Sequence, residues 1–74
     1  MIDSGFQNVL GQAKKMLDES PLHELHRLRL ERQGNTVLIS GQLSNFYLKQ
    51  KAQETIRSAT RGIHVRNLAR VEST

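Results

Sequence analysis

Two segments carrying regularly placed apolar residues, at 25–33 and 36–44, flank the dipeptide Gly34-Asn35. Glycine and asparagine tolerate the positive φ angles of a two-residue hairpin turn, so the segment predicts a β-hairpin folded about that pair. Folding there pairs Leu30 with Ile39, Leu28 with Gly41 and His26 with Leu43. One face then carries Leu28, Leu30, Val37, Ile39 and Leu43, and is the face to be buried. The other carries Leu25, Arg27, Arg29 and Glu31 opposite Leu38, Ser40 and Gln42. A slip of one residue would send the arginines into the core, so turn and pattern specify a single register. Gly41 falls on the inward face without a side chain, which leaves room for a helix to lie close to the sheet.

A lone hairpin is marginal in water and needs a layer to cover its apolar face. The flanking segments supply that layer. Phe6, Val9, Leu10, Ala13, Met16 and Leu17 recur at helical spacing, with Ser4 and Gln7 placed as a capping box and Ser20-Pro21 as the stop. Gly11 inside this helix either costs about 1 kcal/mol against alanine or marks a close packing contact. A second helix follows the hairpin, with Ser44 as its cap and Leu43 and Leu48 as a hydrophobic staple. Leu48, Ala52, Ile56 and Ala59 form its stripe, and Gly62 is its stop. Residues 63–71 then alternate as a strand, with Ile63, Val65, Ala69 and Val71 on one side and His64, Arg66, Leu68 and Arg70 on the other. The order α-β-β-α-β predicts a two-layer α+β domain. Its three-stranded mixed sheet carries both helices on one face, because β-α-β crossovers are right-handed.

At 74 residues the chain is one domain, spanning 1–74. It has no cysteine, which removes thiol chemistry and disulfides. The longest apolar run, Val37-Leu38-Ile39, is far too short to cross a membrane. The first ten residues show neither a basic n-region nor an apolar h-region. A cytoplasmic location is expected if the chain is complete, and an envelope location if it belongs to a longer protein.

Several of these segments together resemble the BON domain, a module of bacterial envelope and osmotic-stress proteins. Val37-Leu38-Ile39-Ser40-Gly41-Gln42-Leu43 is similar to the family's hydrophobic strand ending in Ser/Thr-Gly-x-Val. Residues 49–59, with Ala52, resemble its second helix, and Gly62-Ile63, Val65 and Asn67 its closing Gly-Val…Val-x-Asn motif. The family has two residues between that aliphatic residue and the next valine, where this chain has only His64. The resemblance covers residues 6–72. It implies phospholipid or envelope binding, a stress-response setting and no catalytic residues; Gly41 and Asn67, which match family positions, read as structural.

The residues themselves offer no enzyme and no cofactor site. No serine lies in a Gly-x-Ser-x-Gly elbow, and the isolated glycines build no phosphate-cradling loop. His23-Glu24-Leu25-His26 spaces its histidines three apart instead of the four of a zinc-protease helix. Read as the end of a strand, the segment would point the two rings to opposite faces, so no metal site is expected. The carboxylates stand beside cations at helical spacing, as Glu54 does with Lys51 and Arg57.

Charge points elsewhere. Residues 1–24 carry two lysines against four carboxylates, whereas residues 25–74 carry nine cations, seven of them arginine, against three. Such a segment favours anionic partners, although a solvated surface that keeps a small protein soluble is its ordinary explanation. The candidate ligand-binding surface is the open sheet face: Arg27, Arg29, Arg66 and Arg70, with His64, around Leu25, Leu38 and Leu68. An apolar centre with an arginine rim suits anionic lipid headgroups, or an envelope component, and equally a protein partner or self-association. Nucleic acid ranks below these, because the strands carry no aromatic residue to stack bases and no Gly-x-x-Gly loop is present. Phe46 and Tyr47, at the start of the second helix, are expected to pack.

Overall fold

The computed structural model describes residues 4–60 and 62–72. The side chains of Ser4, Phe6 and Gln7 fall outside that description, and with them the capping box and the first residue of the N-terminal stripe. The elements are α1 (Ser4–Asp18), a 3-10 helix (His23–Arg27), β1 (Arg29–Gln33), β2 (Thr36–Ser40), β3 (Gln42–Leu43), α2 (Phe46–Ala59), β4 (His64–Asn67) and β5 (Arg70–Val71). The main sheet has the order β1-β2-β4, with β1 antiparallel and β4 parallel to β2. β3 and β5 form a second, two-stranded parallel sheet. The expected two-layer α+β arrangement is therefore present.

The hairpin has the register read from its pattern: Leu30 faces Ile39 and Gln33 faces Thr36 across a two-residue turn. Only Gly34 takes a positive φ there, +60°, and Asn35 does not. That is the arrangement with glycine at the first central position, in place of one needing two positive angles. β4 continues the alternation. Val37 lies beside Val65 and Leu38 beside Arg66. The offset between partners is the same in β3 and β5, where Gln42 lies beside Arg70. Amides of Leu68, Arg70 and Glu72 donate to the carbonyls of Ile39, Gly41 and Leu43, so one parallel ladder runs through both sheets and is only interrupted near Gly41.

The core lies between sheet and helices. Ala13 and Leu17 of α1 meet Leu48, Ala52 and Ile56 of α2 over Val37, Ile39 and Leu43, with Leu25, Leu28 and Ala69 closing the ends. Burying each leucine, isoleucine or valine side chain among them contributes roughly 1.5–3 kcal/mol. Asn67 faces inward and joins the layers: its Nδ2 donates to the Lys49 carbonyl at 2.9 Å, and its Oδ1 accepts from the Ala69 amide at 3.2 Å. The structural reading of Asn67 agrees with this placement.

Four expectations are corrected. The first concerns the hairpin's start: residues 23–27 form a 3-10 helix instead of extending the strand, so His26 does not pair with Leu43. The amides of Leu25 and Leu28 donate to the carbonyls of Leu22 and Leu25 in turn, and this period of three buries Leu25 and Leu28 together. The second is the helix cap. Asn45, not Ser44, caps α2, its Oδ1 accepting the Leu48 amide at 2.9 Å. Ser44 instead gives its amide and hydroxyl to the two Glu24 oxygens, at 2.9 and 2.6 Å. With the cap moved one residue, Leu43 and Leu48 leave the staple positions but both remain in the core. Third, what fills the space at Gly41 is Leu28, not a helix: a Cβ built there would lie 2.8 Å from Leu28 Cδ2. Last, the final strand is split in two, β4 ending at Asn67 and β5 beginning at Arg70.

Candidate functional site

The face of the sheet away from the helices takes its residues from the outward positions of each strand. β1 contributes Arg29 and Glu31, β2 contributes Thr36, Leu38 and Ser40, and β4 contributes His64 and Arg66. Arg70 follows on β5, beside Gln42. Alternation carries Leu68 to this same side, where it is 48% exposed. Leu38 is half-buried. Leu38 and Leu68 stand on neighbouring strands two residues apart in register, within reach of one another. Arg66 and Arg70 lie on the same side and, four residues apart along an extended chain, about 13 Å from each other. Their guanidinium groups and that of Arg29 are exposed. Arg27 closes the 3-10 helix at the end of the sheet. There it shares a shallow groove of about 400 Å³ with Glu24, Gln42, Leu43, Ser44 and Glu72.

Six of the seven residues expected on this surface are thus exposed or half-exposed along one side and one end of the sheet. Leu25 is not: it is 0% exposed, on the 3-10 helix, in the core. The signal for this was in the spacing, since Leu22, Leu25 and Leu28 recur every third residue, while the alternation of two begins only at Leu28.

Phe46 and Tyr47 are the reverse case. Expected to pack, they are 73% and 59% exposed, with Lys51 Nζ 5.6 Å from the Tyr47 ring centroid. The helix wheel explains it. Phe46 precedes Leu48 by two residues, which turns it about 200° away from the buried stripe. His23 and His26 also differ from expectation. On the 3-10 helix, residues three apart share a face, and the rings meet edge to face with centroids 5.4 Å apart. His26 Nε2 donates to the Ser20 carbonyl at 2.8 Å, which ties the helix to the end of α1. Among the described residues no three His, Asp or Glu side chains gather as metal ligands would.

Among the described residues no helix is long and apolar enough to cross a membrane. No protein-family model, curated protein or solved structure matches this chain.

Proposed function

We propose that the chain is a non-catalytic binding module whose open sheet face docks on anionic phospholipid or another anionic envelope surface. One observation carries this reading: Arg29, Arg66 and Arg70 stand exposed around Leu38 and Leu68, with Arg27 at the margin. Arginine suits the task because its planar fork meets phosphate oxygens two at a time and is weakly hydrated. Each cation held near an anionic bilayer contributes about 1 kcal/mol, and several act together. The two leucines can enter the headgroup layer without unfolding anything. The resemblance to the BON family points the same way.

The test is sedimentation with phosphatidylcholine vesicles and with vesicles containing phosphatidylglycerol. The native chain should pellet only with the anionic vesicles and be released by salt. Reversing Arg27, Arg29, Arg66 and Arg70 to glutamate should abolish pelleting while leaving the circular dichroism spectrum unchanged. Failure of the native chain to pellet at low salt removes the lipid reading. A single-stranded oligonucleotide run beside it shows whether the arginines prefer a free polyanion.

A further inference from the structure

On the far side of the hairpin, the outer edge of β1 is not covered by any strand among the described residues. In an antiparallel pair closed by a two-residue turn, Gln33, Glu31 and Arg29 direct their amides and carbonyls to β2, and the residues between them direct theirs outward. Leu28, just before β1, continues that alternation, and its groups are taken: its amide donates to the Leu25 carbonyl, and its own carbonyl accepts from Lys14 Nζ at 3.3 Å. Lys14 also covers the His26 carbonyl. The next outward residue is Leu30. Beside it runs a groove of about 630 Å³, floored by Leu28 and Leu30 and walled by Leu10 and Gly11 of α1. Gly11 is exposed, with nothing among the described residues within 4 Å of where its Cβ would be, so no contact among them explains a glycine in mid-helix.

We infer that β1 pairs with β1 of a second copy, antiparallel and centred on Leu30. The charges select that register. Centred on Leu30, Arg29 of each copy lies opposite Glu31 of the other, twice by symmetry, whereas centring on Leu28 would set Arg27 against Arg29. Leu28 of each copy would face Arg32 of the other, so its occupied groups end the ladder at both ends, after the Leu30 pair. Leu30 then exchanges both backbone hydrogen bonds with its counterpart. The Arg29–Glu31 pairs fall at non-hydrogen-bonded positions, where side chains approach most closely. A two-fold axis perpendicular to the sheet brings the two α1 helices together on the helix side. Gly11 is the residue that lets them approach. The result is one sheet continuing through both copies, with their arginine faces on the same side. This pairing stands apart from the lipid reading, and its test contains no vesicles.

Sedimentation velocity over a micromolar to millimolar concentration series should show a monomer–dimer equilibrium. Arg29→Glu alone and Glu31→Arg alone should each weaken it roughly tenfold, because both cross-strand pairs become like-charged. Mixing these two single variants should restore association as a heterodimer, in which every pair is again opposite. Both residues are exposed, so folding is expected to survive, as circular dichroism will show. Gly11→Leu should block association without unfolding the monomer. A native chain that stays monomeric to the millimolar range overturns the inference. So does a dimer indifferent to either charge reversal, or a mixture no more associated than its components.

Discussion

Replacing Gly41 with alanine sets one methyl group against one leucine, and the cost can be worked from the geometry. Gly41 has φ +140°, a region that residues with a Cβ rarely occupy, at about 1–3 kcal/mol. The added Cβ would also lie 2.8 Å from Leu28 Cδ2 and 3.4 Å from Leu28 Cα. Leu28 is buried and cannot swing into solvent, so the contact adds an overpacking cost of roughly 1–3 kcal/mol. Alanine restricts the unfolded chain as well, which returns about 0.4–1 kcal/mol. The net loss is therefore about 1–6 kcal/mol, a large share of the roughly 4–11 kcal/mol that a domain of this length possesses. Gly34→Ala is the control, since its φ of +60° carries the backbone cost but nothing lies within 4 Å of its Cβ. It should lose only about 1 kcal/mol. In urea melts followed by circular dichroism, Gly41→Ala should fall well below Gly34→Ala in midpoint, and Gly41→Val further still. In a Leu28→Ala background the steric part should vanish, leaving a coupling of about 1–3 kcal/mol between the two sites. Equal losses for Gly41→Ala and Gly34→Ala, with no coupling to Leu28, would refute the close contact.

Other substitutions separate the elements. Leu25→Ala should cost about 2–5 kcal/mol in a urea melt, as a core truncation, while Leu68→Ser should change the midpoint little. Asn45→Ala should lose about 1 kcal/mol with its cap, a loss calorimetry would register as a melting temperature about 4–8 °C lower. Glu24→Ala removes both acceptors of Ser44 and should cost about 1 kcal/mol, with amide exchange at Ser44 accelerating by about tenfold or less. Asn67→Ala strands the Ala69 amide and should cost about 1–3 kcal/mol, seen as a lower urea midpoint.

The elements with the strongest local pattern were legible in the chain itself. The Leu30–Ile39 register comes from a turn that only a few residue pairs can make and from an alternation that a slip would invert. The stripes of α1 and α2 come from helical spacing, and the facing of residues 63–71 from alternation, down to the inward Ala69 and the outward Leu68. Arg29, Arg66 and Arg70 inherit their exposure from those patterns. Residues 22–28 were different. Leu28 fits a period of two with Leu30, and it fits a period of three with Leu22 and Leu25; over so few residues neither outweighs the other. The choice fell to packing: the 3-10 turn buries Leu25 and Leu28 at once, where a strand would leave Leu25 in water. The same turn carries Glu24 to Ser44, twenty residues away, and the cap of α2 falls to Asn45. It also sets Leu28 against Gly41. Local periodicity says which face a residue takes within its own element; which of two compatible elements forms, and what meets an inward glycine, depends on contacts between segments distant in the chain.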